Sequence, residues 1–331
     1  MRKLFFILIS LSGFSAQAQL NDINAVASDL IFLTEKYITP AAEAPTYQSS
    51  GGWYTNFTPK KIFEIEASLQ YNLLLITNKN KTFLVNESEL QNIQIQGSST
   101  FAYIPTALGN DDVVVLEGSI NGDSFEFDAP EGINEKTVKH GQLQASVGLW
   151  KQTNLIVRYA PNIKINDTNY QSFGFGVSHH LNQWIKSLKE SSYHFGVLFN
   201  YSNTSVEDTF NAANLQLGTI NGIAVDGETF GFNLVGSKSY KNFDFSSSLG
   251  LTSSKFDYKV SGTGELLLEI LNQSLATLNT SKTNFKADFN VNYRFNNFSV
   301  NTMFTVGDYS NLNFGVNYCF NKRNVDLGIE K

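Results

Sequence analysis

Four histidines, His140, His179, His180 and His194, are the side chains of this sequence best suited to bind a metal or carry a proton near neutral pH. His180 and His194 fall on the polar faces of two neighbouring segments that alternate apolar and polar residues, so a sheet would let them approach one another. His179 and His180 are adjacent, point to opposite faces of a strand and cannot share an ion there. No third ligand is marked by spacing, and the pair reads as solvated interior or interface histidines, with no metal expected. Ser178 shares a face with His180, but no acidic partner or oxyanion element accompanies them. There is no G-x-S-x-G elbow, phosphate loop or H-E-x-x-H. The expectation is no catalytic residue, no cofactor and no enzyme. What remains is a set of charged or titratable residues on the polar side of alternating segments: Glu64, Glu66, Arg158, His180, His194, Asp244, Lys286, Asp288 and Arg294. These are the candidates to face a lumen, either paired as a filled interior or lining a wet path.

A lumen requires a closed sheet, and the alternation supplies its strands. In residues 283–295, Phe285, Ala287, Phe289, Val291, Tyr293 and Phe295 alternate with Lys286, Asp288, Asn290, Asn292 and Arg294. Asn296-Asn297 makes a turn into Phe298, Val300, Thr302, Phe304 and Val306. Leu312, Phe314, Val316, Tyr318 and Phe320 follow in the same rhythm. Each segment runs ~10 residues, which at ~3.3 Å per residue and ~40° tilt covers roughly 25 Å, the height of a barrel's apolar band. The same pattern runs through 141–150, 153–161, 171–181, 193–202, 229–237 and 243–260. In 243–260 the apolar face changes parity near Ser253 to Lys255, which a β-bulge would produce. Residues 62–73 form one more strand, and Asn121-Gly122 predicts a hairpin between 113–119 and 123–129.

The sum is an all-β, antiparallel transmembrane β-barrel of about twelve strands, with both chain ends on the periplasmic side. Fourteen result if Thr82 to Val85 and Ile93 to Tyr103 also cross. Residues 74–112, 203–228 and 261–282 read as long outer connections, and 182–190 as a short helix on the other side. Asp22 to Tyr37 has helical spacing (Ile23, Val26, Ala27, Leu30, Ile31), with Pro40 just past its end, and would lie in the periplasm or plug the lumen. An ordinary core helix fits that periodicity equally.

Before this helix, Arg2-Lys3, an apolar run from Leu4 to Leu11 and Ala16-Gln17-Ala18 have the layout of a cleaved signal peptide. The resulting division is 1–18 signal peptide, 19–60 helical or plug segment, 61–320 barrel and 321–331 tail. The composition is 42% hydrophobic, 13% aromatic and 16% charged. That charged share lies below the ~25% of soluble domains. A net charge of −6 gives no reason to expect nucleic acid. The single Cys319 excludes an intrachain disulfide framework. Trp150, Tyr159, Trp184, Tyr201, Tyr240, Tyr293 and Tyr318 lie at or near strand ends, where interfacial aromatic girdles form.

Several stretches occur together in order: Gly51-Gly52-Trp53-Tyr54, Lys60-Lys61-Ile62-Phe63, Pro105-Thr106-Ala107-Leu108-Gly109, Thr153 to Pro161 and Phe173 to Ile185. As a set they resemble an uncharacterised outer-membrane family of Bacteroidota, classed as a domain of unknown function. The resemblance implies a barrel with an N-terminal helical segment, more distantly similar to outer-membrane long-chain fatty-acid transporters. It implies no substrate and no catalytic residues. Three functional readings follow. The first is an outer-membrane channel or transporter for a hydrophobic small molecule, in contact with outer-membrane lipid and inserted by the outer-membrane assembly machinery. The second is a structural, adhesive or assembly component of that membrane without transport. The third is a secreted soluble β-sandwich.

Overall fold

The computed structural model describes residues 2–320 apart from 121, 135, 166–167, 190, 216–217 and 278–279. Side chains are described from Asp22 onward, except at 163, 165, 215, 277 and 280. The cleavage site after Ala18 therefore falls where no side chains are described, and the tail 321–331 and Asn121 lie outside the described residues. In chain order the elements are helix α1 (Arg2–Ser50), β1 (Ile65–Leu75), β2 (Thr82–Asn86), β3 (Gln94–Ile95), β4 (Phe101–Pro105), β5 (Val115–Ile120), β6 (Asp123–Asp128), β7 (Thr137–Gly148), β8 (Thr153–Ile165), β9 (Thr168–His180), β10 (Tyr193–Leu215), β11 (Gly218–Tyr240), β12 (Phe243–Thr263), helix α2 (Glu265–Thr277), β13 (Thr280–Phe295), β14 (Phe298–Val306) and β15 (Ser310–Phe320).

Ten antiparallel strands close the barrel, in the order β1-β15-β14-β13-β12-β11-β10-β9-β8-β7. Closure is made by β1, which pairs with β15 (Ile65 opposite Phe320) and with β7 (Ile65 opposite Val147). An even count returns both ends of the sheet to one rim. At that rim the turns from β7 to β8, β11 to β12 and β13 to β14 carry left-handed backbone at Lys151 and Gln152, Lys241 and Asn296.

The expected twelve strands become ten. The hairpin of 113–119 and 123–129 exists, but as β5 and β6 in a three-stranded sheet with β3, outside the barrel. Six residues span ~20 Å even when fully extended, too little for a tilted crossing. Its faces are also wrong for a wall, because Phe127 is buried in a core while Asp123, Glu126 and Asp128 face water. The fourteen-strand count fails likewise, since β2 pairs with β4 and not with the barrel. Together residues 76–136 form a cap over the far rim.

The barrel wall is inverted relative to a soluble protein. Its interior carries Ser68, Gln70, Asn72, Gln142, Asn200, Asn233, Asn292, Asn301 and Asn313, all buried, while Leu69, Phe173, Phe230, Leu249, Phe285 and Phe289 stand more than half exposed outside. A soluble chain would not keep so continuous an apolar belt in water. Backbone ladders closed on themselves and an apolar exterior are what a lipid-embedded sheet needs.

The expected bulge near Ser253 is absent. Alternation of burial along β12 is unbroken from Phe243 to Ser261, and its register with β11 is continuous from Gly222 to Tyr240. What changes is the chemistry of each face. Up to Leu251 the outward face carries Phe243, Phe245, Leu249 and Leu251 around Ser247; beyond it, Ser253 leads into Lys255, Asp257 and Lys259. Inward, Ser246, Ser248 and Thr252 give way to Phe256, Tyr258 and Val260. β11 does the same across the pair, from Phe230, Phe232 and Leu234 outward to Asp226 and Glu228. The strands run out of an apolar surrounding into water, and the buried face changes from polar lumen to apolar core. For the same reason the described residues of 203–228 are not a loop but an extension of the β10–β11 pair above the belt. The sheet's irregularities lie elsewhere, between Thr209 and Ala213, Ile220 and Gly222, and Ala160 and Ile163, where Pro161 cannot donate to a ladder.

Within 261–282, α2 sets Leu267, Leu271 and Leu275 at four-residue spacing into the cap core, and Asn272 bonds both the N–H and the C=O of Val260. On the opposite side of the barrel, the stretch expected as one helix over 182–190 forms two 3₁₀ turns, Asn182–Trp184 and Lys186–Leu188, pinned by Asn182 to the backbone of Leu188, Tyr193 and Phe195.

Helix α1 continues past the expected end at Tyr37, through Pro40 and Pro45, to Ser50. A helix-interior proline costs ~3 kcal/mol. Here the residues around the prolines, Ile38, Ala42, Ala44 and Tyr47, are all buried, and hydroxyls of Thr39, Thr46, Ser49 and Ser50 bond back to helix carbonyls. Residues 23–37 pack into the cap core, where the Asp29 carboxylate accepts the backbone N–H groups of Gln91, Asn92 and Ile93.

Candidate functional site

From the cap, α1 descends into the mouth of the barrel and ends inside it. Residues 51–60 continue as irregular chain through the lumen and leave by the rim where β1 begins. A helix ends with unpaired carbonyls and partial negative charge. The wall answers with two buried cations. Lys286 Nζ donates to Ser50 O at 2.8 Å. Arg158 Nη1 donates to Ser49 O at 2.8 Å and Gly51 O at 2.9 Å. Lys286 is also paired with Asp288 at 2.7 Å, and Asp288 in turn accepts from Ser248 and Thr305. Among the described residues Arg158 has no carboxylate partner; Gln144 Oε1 accepts from its Nε and Nη2, and its guanidinium lies 4.1 Å from the Trp53 ring centroid.

Trp53 is 1% exposed and its Nε1–H reaches Ser49 O at 2.9 Å. With Tyr54 and Phe57 it packs on the inward apolar residues Ile156, Leu198, Val235 and Met303. Glycines on the wall make the room. A Cβ at Gly176 would stand 3.1 Å from Trp53 Cε3, one at Gly174 2.9 Å from its Cη2, and one at Gly196 2.9 Å from the Phe57 ring. Polar contacts complete the fit: Gln48 Oε1 with His140 Nδ1 at 2.8 Å, Ser49 Oγ with Ser202 Oγ at 2.9 Å, Gln70 Nε2 to Gly52 O at 3.2 Å, Asn290 Nδ2 to Thr55 O at 2.8 Å and Ser237 Oγ to Phe57 O at 2.5 Å.

Of the nine residues singled out from the sequence, Glu66, Arg158, His180, Asp244, Lys286 and Asp288 are buried, and Glu64, His194 and Arg294 are half-buried. Three opposite-charge pairs form: Lys286 with Asp288, Arg294 with Asp244 at 3.0 Å, and Lys60 with Glu66 at 3.2 Å, where Glu66 also accepts from Thr55 of the plug. Glu64 accepts from Cys319 Sγ at 3.2 Å at the rim. The His180 ring packs tilted against Phe57, 4.3 Å between centroids, and meets Asn154 Nδ2 at 3.4 Å. Asn154 Nδ2 also donates to Ser178. Among the described residues no cluster of three or more His, Cys, Asp or Glu is placed to hold a metal. The residues missed in the sequence are those of the fit itself: Gly51, Trp53 and Phe57 on the plug, and Gly174, Gly176 and Gly196 on the wall. Their signal was the alternation Phe173-Gly174-Phe175-Gly176, which leaves a hole on the inward face of β9.

At the rim opposite the cap, Trp150 and Trp184 are exposed, and Lys151, Lys238 and Lys241 lie over the rings of Trp184, Tyr193 and Tyr240. Such aromatic and basic collars suit a headgroup layer. Among the described residues no helix is long and apolar enough to cross a membrane; strands are a separate matter.

Similar folds occur among solved outer-membrane proteins. The translocator domain of the autotransporter NalP from Neisseria meningitidis is 10% identical, with 86% of this chain and 99% of that one covered and a TM-score of 0.39. The outer-membrane protease OmpT from Escherichia coli is 12% identical over 81% of this chain and 99% of that one, at 0.31. A FadL homologue from Pseudomonas aeruginosa is 14% identical over 78% of this chain and 66% of that one, at 0.32. No curated protein matches the chain. A family model does, over residues 1–320, and the chain accordingly belongs to the family of unknown function DUF6588.

Proposed function

We propose that this chain is an outer-membrane transporter, held shut at rest by its own residues 51–60, which takes up a small molecule with an apolar part at the cap. Export through a signal peptide ending at Ala18 and insertion by the outer-membrane assembly machinery belong to this reading, as does contact of the apolar belt with outer-membrane lipid. The observation that carries it is the nature of the plug. Residues 51–60 cross the lumen as irregular backbone outside every sheet ladder, so they can withdraw without breaking the barrel. Fixed closure would be made more simply by large side chains on the wall, yet the wall is thinned to glycine where the plug sits.

A second reading, an adhesive or assembly component without transport, is favoured by the cap, which has an apolar core separate from the cluster in the lumen and exposes Leu84, Phe101, Tyr103 and Val113 on its surface. Liposome swelling and uptake separate the two. The transporter reading expects wild-type protein to be closed to polar solutes and a deletion of residues 51–60 to be leaky. Absence of passage in both, with the barrel shown to be folded by heat-modifiable gel migration, would leave the second reading standing.

A further inference from the structure

The cap contains two neighbouring spaces that the plug does not use. A groove of about 740 Å³ runs between residues 126–133 and the outer end of β10, from Asp208 to Asn214. Beneath it is an apolar void of about 50 Å³, walled by Leu30, Leu33 and Tyr37 of α1 together with Ile104, Leu116 and Ile223. Phe127, Ala129, Pro130 and Phe210 line both, so the two spaces adjoin across these four residues. Their chemistry differs sharply. The void is enclosed by side chains that are almost all apolar. The groove is lined by four carboxylate residues, Glu126, Asp128, Glu131 and Asp208, and by no Lys or Arg among the described residues.

Size and charge together define an occupant. A dry cavity of ~150 Å³ accepts benzene, so the void here takes only a few carbons. The groove above it is large enough for the polar remainder of a small molecule. Four carboxylates over low-dielectric walls repel an anion and concentrate a cation. Asp208 is 8% exposed, and its Oδ1 accepts from Thr168 at 2.8 Å, so one of these charges is held at the base of the groove and not on a freely moving side chain.

Taking the cap as the point of entry, as in the reading above, we infer that it binds a small organic cation, an ammonium ion carrying a short branched aliphatic group, with the aliphatic end in the void and the ammonium among the carboxylates of the groove. This excludes a fatty-acid carboxylate as the preferred ligand.

The test uses full-length protein in nanodiscs of zwitterionic phosphatidylcholine, with empty discs as the control for partition into lipid. Isoamylammonium, isovalerate and methylammonium are titrated by ligand-observed saturation-transfer NMR. The first two share the branched end and differ in charge; the first and third share the charge and differ in the aliphatic end. Isoamylammonium should bind about tenfold more tightly than either, and its advantage should shrink as salt is raised. Ala213→Leu, which fills the void, should lower isoamylammonium to the level of methylammonium and leave methylammonium unchanged. Glu126→Gln with Asp128→Asn, both at exposed positions, should weaken both cations. Equal affinity for isoamylammonium and isovalerate, or no saturable binding of the ammonium beyond empty discs, would overturn the inference. Binding is read without any passage through the lumen. Ammonium binding without uptake would sink the transporter reading alone, and uptake without ammonium preference would sink this inference alone.

Discussion

Replacing Trp53 by alanine removes the largest fully buried side chain of the plug without touching the wall. Its ring fills the space over Gly174 and Gly176, holds the Arg158 guanidinium 4.1 Å from its centroid and bonds back to Ser49 O. Truncation of a buried Trp costs ~3–5 kcal/mol, lost cation–π attraction included. All of these contacts to the wall exist only while the plug is seated, so the whole loss falls on the seated state. At ~1.4 kcal/mol per tenfold, the population of unplugged barrels should rise by roughly 10²- to 4 × 10³-fold. Liposome swelling with a small sugar and conductance steps in planar bilayers both report that population. Gly176→Leu should open the barrel from the other side of the contact. Because both changes remove one packing interaction, the double variant should leak less than their product. If Trp53→Ala swells liposomes no faster than wild type while its heat-modifiable migration is unchanged, the plug is not the closure and the reasoning fails.

Three further expectations are independent of the plug. Phe289 stands on the outer face of the barrel opposite Ser247 and Phe304, so Phe289→Arg puts a charge into lipid at ~2–4 kcal/mol and should lower the yield of heat-modifiable barrel, whereas Phe289→Leu should assemble normally; equal yields would mean the faces are assigned the wrong way round. Arg158→Met leaves the carbonyls of Ser49 and Gly51 without their cation, at ~1–3 kcal/mol each, and should raise leakage by at least tenfold; Arg158→Lys should recover only part of the closure, because a single ammonium cannot reach both carbonyls and Gln144 in the guanidinium's geometry. Tyr309, in the connection between β14 and β15, has its pKa pushed up by burial first and by Glu43 second. A raised folded pKa means stability that is complete below the ordinary tyrosine value of ~10 and is lost as pH rises above it. Tyr309→Phe should therefore remove part of the alkaline loosening of the cap, measured by tyrosinate absorbance alongside near-ultraviolet dichroism; ionisation of Tyr309 near pH 10 with the cap intact would contradict this.

How far the sequence carries depends on how local each cause is. The wall of β13 to β15 is legible residue by residue, because Phe285 to Phe320 alternate with Asn, Ser and charged neighbours over nearly the full height of the barrel. The short turns follow from Asn296-Asn297 and Lys151-Gln152 in the same way. The cap is not legible in the same way, because β5 and β6 carry the same dyad rhythm as a wall strand. Only their length and the direction of their apolar face, both set by partners distant in sequence, exclude them from the barrel. The supposed bulge at Ser253 to Lys255 has a different lesson. A change in which parity is apolar signals either a shifted register or a changed solvent, and periodicity cannot separate these. The continuous pairing of Glu228 with Lys255 and of Phe232 with Leu251 settles it in favour of the solvent. The lumen side of the site was visible as the charged residues Arg158, Lys286 and Asp288. What they do was not, since a guanidinium that caps a helix end looks in sequence like one awaiting a carboxylate. The path of α1 through Pro40 and Pro45 was hidden for a similar reason: local propensity ends the helix at Tyr37, and enclosure by the barrel mouth carries it on.

The most direct measurement is a spin-label scan along β12 from Phe243 to Val260, with molecular oxygen and a polar nickel complex as paired relaxation agents. Labels at 243, 245, 247, 249 and 251 should relax with oxygen, labels at 255, 257 and 259 with the nickel complex, and the even positions with neither, in one unbroken alternation. A reversal of that alternation between 253 and 256, or equal access of the nickel complex at 245 and 257, would contradict an inverted barrel rising from lipid into a water-facing cap.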